Sequence, residues 1–290
     1  MISNLKCSIT PTLDSLVQKF WEVEELLFPS SHSKEDQICE EYFLSTHTRL
    51  STSRYVVRLP VKQSSTLGSF HVASKSLEHL ELHLAREPKL TAANQDFPYE
   101  YESLGHMAPL NAQTHNSNSV YYLPHHLVLK ESSYTPLRVI FNASCTTSNG
   151  ASLNDCLMTD LKLQADLSII LRWRAYRLDF TIDIAKMFRQ ILIHPDDTDY
   201  QRILWRTAPD QPVNHYRLLT VTYGISSSPY LAMRVLQQLI AGEESHYPLA
   251  SSILRNSIYV DDILFGADYI PTIQAMREQL ISLLRCGGFQ

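Results

Sequence analysis

Ser257-Ile258-Tyr259-Val260-Asp261-Asp262-Ile263-Leu264-Phe265-Gly266-Ala267 sets two adjacent aspartates between two apolar runs. The stretch reads as strand, turn, strand. Side chains alternate along a strand, so neighbouring aspartates point apart unless a tight turn falls between them. At such a turn Asp261 can aim at a shared site while Asp262 flanks it. Two adjacent carboxylates also repel, and each raises the other's pKa unless a cation compensates. A second aspartate stands in Phe180-Thr181-Ile182-Asp183-Ile184, an apolar strand that reads as buried. An acid there is costly unless it is paired or bound to metal. If this strand lies beside the hairpin, Asp183 joins Asp261, and an oxygen-rich site of that kind suits Mg²⁺. Plainer readings stand beside this one: Asp-Asp in a turn is commonly just solvated, and Asp183 could pair with one of the nearby arginines.

Outward from these acids, the chain alternates helix and strand signals. SPYLAMRVLQQLI reads as a helix with Ala232, Val235, Leu236, Leu239 and Ile240 on one face. After the hairpin, Ile273, Met276, Leu280 and Leu284 line another helix, which Gly287-Gly288 terminates. QRILWR and HYRLLTVTY are strand candidates, and a helix is expected across DLSIILRWRAY. VYYLPHHLVLK and LRVIFNAS flank the turn-forming ESSYTP and read as a β-hairpin, followed by TTSNGASLND, a loop ending in capping residues. The polar stretch 111–119 marks a boundary. Before it, residues 1–60 read as a helical, acidic preface with Leu13, Leu16, Val17 and Phe20 on one face and a Ser-rich break at 29–33. YVVRLP at 55–60 reads as a strand stopped by proline, and Ala73, Leu77, Leu80 and Leu84 line a helix starting near Ser69 that Pro88 ends. No internal repeat and no βαβ alternation with a Gly-rich turn are visible. The expected fold is α+β, with an antiparallel sheet covered by helices on one face.

The chain has 290 residues, 44% of them hydrophobic, which suffices for one large domain or two modest ones. No run of about 18 apolar residues predicts a membrane span, and the N-terminus lacks the apolar core of a signal peptide. Cys7, Cys39, Cys145, Cys156 and Cys286 are odd in number, widely spaced and without a CxxC pair, which argues against a zinc site or disulfide framework. His125, His126 and His194 lack ligand spacing with any cysteine and read as structural. A net charge of −5 is unhelpful to a nucleic-acid binder. However, Arg172, Arg174, Arg177, Lys186, Arg189, Arg202 and Arg206 crowd one segment and could form a local phosphate-binding surface.

Tyr259-Val260-Asp261-Asp262 resembles the YxDD box of reverse transcriptases. TIDIAKMF resembles the family's first aspartate motif, with Asp183 followed five residues on by Phe188. Tyr223-Gly224-Ile225-Ser226-Ser227-Ser228-Pro229 resembles the motif that opens a helix beneath the nucleotide, and Lys130 and Arg138 fall where the fingers hairpin carries basic residues. The four motifs occur in the family's order. YVVRLP, LGHM, YYLPHHLVLK, LRVIFNAS, SNGASLND, FRQILIHPDD, QRILWR and VTYGISSSPYLA together resemble the Bel/Pao class of LTR retrotransposon polyproteins over nearly the whole chain. Three positions depart from common patterns: Tyr223 where retroviral enzymes have glutamine, Lys186 where many relatives are acidic, and Asn142 where aspartate is frequent.

The resemblance implies a right-hand polymerase, an RNA-directed DNA polymerase using two Mg²⁺ ions, with Mn²⁺ as a substitute. Residues 1–110 would be a connector between protease and polymerase regions, and residues 118–290 the fingers and palm, stopping short of the thumb. Asp183 and Asp261 would bridge the ions, the carbonyl of Ile184 would complete one shell, and Asp262 would support. Lys130 and Arg138 would neutralise the triphosphate, Phe188 would exclude a ribose 2′-hydroxyl, and Gly224 with Tyr223 would flank the nucleotide. The partners would be a primed RNA or DNA template, dNTPs and the remaining polyprotein domains (thumb, RNase H, integrase, protease), in a cytoplasmic virus-like particle and not at a membrane. An inactive retroelement remnant that binds nucleic acid or a protein partner is the alternative, as is an unrelated Mg²⁺-dependent phosphotransferase or nuclease.

Overall fold

The computed structural model describes residues 33–62, 68–110, 120–129, 137–158 and 168–289. The expected helical face of Leu13, Leu16, Val17 and Phe20, the break at 29–33 except Ser33, the loop at 111–119, the turn ESSYTP and Lys130 lie outside them. Residues from Lys34 onward form one compact unit of mixed α and β structure.

Helix α1 (Lys34–Thr46) opens with Glu35 and Asp36, which complement its N-terminal dipole, and buries Cys39 and Phe43 one turn apart. Strands β1 (Thr48–Arg49) and β2 (Tyr55–Val57) follow, the latter built of three β-favouring residues, all of them buried. Helix α2 (Phe70–Leu84) buries the stripe Ala73, Leu77, Leu80 and Leu84 that its sequence announces. Pro88, expected only as an exit signal, instead opens a further helix, α3 (Pro88–Ser103). A proline in the first turn lacks only an N–H that would be unpaired anyway, so it starts helices as readily as it ends them. Strand β3 (Met107–Pro109) leads toward the hairpin β4 (His125–Leu129) and β5 (Leu137–Phe141), paired antiparallel from His125 opposite Phe141 to Leu129 opposite Leu137. Leu80, Leu84 and Leu90 from α2 and α3 pack with Leu127 behind that hairpin.

Beyond it come α4 (Ser168–Trp173), β6 (Leu178–Asp183), α5 (Met187–Gln190), β7 (Leu192–Ile193), β8 (Arg202–Trp205), β9 (Asn214–Leu218), α6 (Ser228–Glu243), α7 (Pro248–Asn256), β10 (Ile258–Tyr259), β11 (Asp262–Ala267) and α8 (Ile270–Cys286). Helix α6 is the axis of the core: Tyr230, Leu231, Ala232, Val235, Leu236, Leu239 and Ile240 are all buried. Such all-round burial suits a helix enclosed by other elements. Helices α4, α7 and α8 contact β11.

The single antiparallel sheet expected from the sequence is not what forms. Among the described residues there are four small sheets: β1-β2-β7, β3-β9-β8, β4-β5 and β10-β11-β6. All pairings are antiparallel except β2 with β7, which run parallel. Alternation along a chain identifies a strand and its inner face but says nothing about its neighbour. The strands are two to six residues long.

Candidate active site

Tyr259 of β10 pairs with Asp262 of β11, leaving Val260-Asp261 as a two-residue turn. Val260 has φ +58 and Asp261 does not share a positive φ. That is the φ pattern of a type II′ turn, whose first central position is ordinarily glycine. A β-branched residue held there stores strain on the order of 1–3 kcal/mol, which the surrounding pairing must outweigh. The turn is therefore imposed by its setting and not chosen by its residues.

Strand β6 lies on the other side of β11, and the register places Asp183 directly opposite Asp262. The backbone N–H of Ile184 donates to the carbonyl oxygen of Asp261 at 2.9 Å, lacing the end of β6 to the turn itself. Three acidic residues separated by nearly eighty positions thus share one end of one sheet. Partial desolvation raises the Asp183 pKa, and the charges of Asp261 and Asp262 raise it further. Its electrostatic neighbours are acids, which sets aside the structural ion pair with an arginine.

Strand β6 is not buried: Asp179, Phe180, Thr181 and Asp183 are exposed, and β6 is an edge of its three-stranded sheet among the described residues. The apolar composition that suggested burial serves only the inward side, through Ile182 and Leu178 packed against the core. Asp183 is conspicuous for its company, not for isolation in an apolar interior.

Around the acids stand most of the other candidates. Tyr223 is half-buried, and its ring centroid lies 4.5 Å from that of Phe188. The Arg138 guanidinium, on β5, lies 5.6 Å from the Tyr223 ring centroid in a cation–π arrangement. Burial raises the Tyr223 pKa and Asp261 raises it further, while Arg189 and Arg138 work against them. Those couplings tie the tyrosine to both the acids and the basic hairpin. Phe188 is only 3% exposed and lies against Tyr223, so Tyr223 is the more open of the two rings. Gly224 has φ +89, and a Cβ there would sit 2.1 Å from the carbonyl oxygen of Phe141. Only glycine allows that approach. Ile184, next to Asp183 in sequence, is buried in the main core.

Among the described residues no three His, Cys, Asp or Glu side chains are gathered tightly enough to hold a metal ion by themselves. As placed, Asp183, Asp261 and Asp262 do not make up such a group; a cation beside them would need further ligands, such as a carbonyl, water or a substrate phosphate.

Four of the seven basic residues of that segment are engaged by acids of the chain, while Arg172, Arg174 and Arg177 are exposed. Arg202 is buried on Asp199, Arg206 is held by Glu81, and Lys186 and Arg189 both reach Glu100 of α3. Sequence proximity cannot reveal such partners, which come from distant elements. His125 is buried with its pKa pushed down to about 4 by desolvation, and His194 accepts from the Asp196 N–H at the start of the following turn. Cys39, Cys145, Cys156 and Cys286 are free thiols. No described helix is long and apolar enough to cross a membrane.

Three contributing residues were missed by sequence reasoning. Glu100 and Tyr101 of α3 hold the turn after Asp183: Glu100 through Lys186 at 3.0 Å, Tyr101 through a cation–π contact with Arg189 at 5.0 Å. Asn154 bonds the loop around Gly224. The quoted SNGASLND string contained Asn154, but nothing in its spacing indicates a partner some seventy residues away. A scan against protein-family models finds no match to this chain, and a search of the curated proteins finds none either.

Proposed function

We propose that residues 118–290 are the fingers and palm of a Bel/Pao-type reverse transcriptase, which extends a primer 3′-hydroxyl with deoxynucleotides on an RNA or DNA template. The observation that carries this reading is the register of Asp183 opposite Asp262, with Asp261 in the adjoining turn. The ordered motifs supply the substrate class. Asp183, Asp261 and the carbonyl of Ile184 would hold Mg²⁺, with Asp262 in support. When bound, Mg²⁺ supplies charge neutralisation and Lewis-acid stabilisation of the attacking and leaving oxygens. Lys130 and Arg138 bear on the triphosphate, Arg138 as a planar fork and Lys130 as a point charge. Tyr223 and Gly224 form the surface on which the nucleotide lies. Phe188 backs the Tyr223 ring, so its part in rejecting a 2′-hydroxyl runs through the space that Tyr223 leaves. The same reading brings the thumb, RNase H, integrase and protease regions of a polyprotein as partners, and a cytoplasmic virus-like particle as location.

A second reading, an inactive remnant, is favoured by one observation: Arg202, Arg206, Lys186 and Arg189 are engaged by acids of the protein itself. Such residues have less to offer phosphates, which supply most nucleic-acid affinity. Primed poly(rA), dTTP and Mg²⁺ or Mn²⁺ distinguish the two. Incorporation that disappears in an Asp261→Asn/Asp262→Asn variant supports the polymerase. Template binding without incorporation supports the remnant, and nucleotide release without synthesis points to a nuclease.

A further inference from the structure

The loop at 222–227 carries Tyr223 and Gly224 into helix α6, and its shape depends on a few specific contacts. The Ser228 hydroxyl donates to the Thr222 carbonyl at 2.6 Å, closing the loop from its far end. At its middle, one side chain takes both polar groups that flank the buried Ile225. Asn154 accepts from the Ser226 N–H through Oδ1 at 2.9 Å and donates from Nδ2 to the Gly224 carbonyl at 3.2 Å. The same Nδ2 donates to the Ser144 hydroxyl at 2.7 Å, just past the end of β5. The backbone N–H of Asn154 donates to the Ala143 carbonyl at 3.1 Å.

The chemistry of this contact is restrictive. A carbonyl needs a donor and an N–H needs an acceptor, and a carboxamide presents both on one planar group. A carboxylate would keep the acceptor and lose the donor. The turn that carries Asn154 is itself preset, since Asp155 accepts from the Ser152 N–H at 2.8 Å and from its hydroxyl at 2.7 Å. The Asn154 side chain thus joins three segments: its own rigid turn, the exit of the hairpin bearing Arg138, and the loop bearing Tyr223. Those last two meet in the Arg138–Tyr223 contact beside the acids.

We propose that Asn154 is a positioning residue, which fixes the Gly224 loop against the hairpin so that Tyr223 and Arg138 stand together at the nucleotide side of the site. The proposal rests on the polymerase reading. Asn154 acts through the loop, so its loss weakens nucleotide binding more than it slows chemistry.

The test uses the full chain with primed poly(rA) and varied dTTP. Asn154→Ala and Asn154→Asp each raise KM for dTTP by about tenfold, the equivalent of about 1.4 kcal/mol, which is the scale of a lost hydrogen bond or two. Their kcat stays within about twofold, and Asn154→Gln, which retains both amide functions, falls between them and the wild type. An unchanged KM, with activity reduced only in proportion to the folded fraction, overturns the proposal. If the wild type incorporates nothing, the polymerase reading fails, and amide hydrogen exchange then decides this one separately. Asn154→Ala must speed exchange at Ser226 by about tenfold while leaving β11 unaffected. Unchanged exchange there overturns it.

Discussion

Asp183 carries a charge that its surroundings resist. Its raised pKa, from partial desolvation and then from Asp261 and Asp262, means that the folded chain binds its proton more tightly than the unfolded chain does. The sign follows directly. This group takes stability away as pH rises through the interval between the ordinary aspartate pKa and its raised value, and gives it back on acidification. Asp183→Asn is therefore expected to leave stability unchanged or raise it by less than about 1 kcal/mol given its exposure, with a melting midpoint no lower than the wild type's in thermal denaturation at neutral pH. If the polymerase proposal holds, the same substitution should abolish incorporation of dTTP on primed poly(rA). A residue kept against its own stability is the signature of function under the polymerase account, and a variant that melts substantially earlier would contradict it. The acids were legible in the sequence because two hydrophobic runs framed them. Their solvent exposure was not, because an edge strand and a central strand can share the same apolar composition.

At the scale of elements, what the sequence announces best is periodicity. The stripe of α2, the buried faces of α6 and α8 and the hairpin β10–β11 all form where their patterns place them. Helix α3 escaped notice because it carries Pro98 in its interior and a proline at its start, two breaker signals that tertiary packing overrides. Sheet partition escaped as well, since pairing between β2 and β7 joins residues about 136 positions apart and is encoded by neither strand alone. The Gly224 loop is the element on which most of the site depends. Gly224→Ala adds a Cβ that meets the Phe141 backbone at 2.1 Å in a conformation that already disfavours any side chain. We expect a loss of about 2–4 kcal/mol in urea denaturation, because backbone, unlike a flexible side chain, cannot step aside. A loss below about 0.5 kcal/mol would show that the loop and the hairpin are not in close contact.

For the molecule as a whole, helices α2 and α3 pack behind the β4–β5 hairpin while α3 also reaches the turn after Asp183, so one body supports both the basic and the acidic sides of the site. Two buried histidines record how tightly that body closes. Desolvation lowers His125 to about 4, and His106 falls to about 4 through desolvation and the charges of Arg189, Arg54 and Lys186. Both are neutral when folded, so their contribution is full above the unfolded value of about 6.5 and is lost as pH falls toward 4. Stability should fall over that window with a slope approaching about 1.4 kcal/mol per pH unit for each histidine. His125→Phe should flatten the profile, and an equally steep profile in that variant would count against a buried, neutral His125. The central claim is that Asp183 and Asp261 hold a divalent cation between them. Anomalous scattering from Mn²⁺ in crystals grown with dTTP tests it most directly. The account predicts a peak within about 2.0–2.2 Å of a carboxylate oxygen from each of these two residues. Metal bound elsewhere, with the two carboxylates turned away from one another, would contradict it.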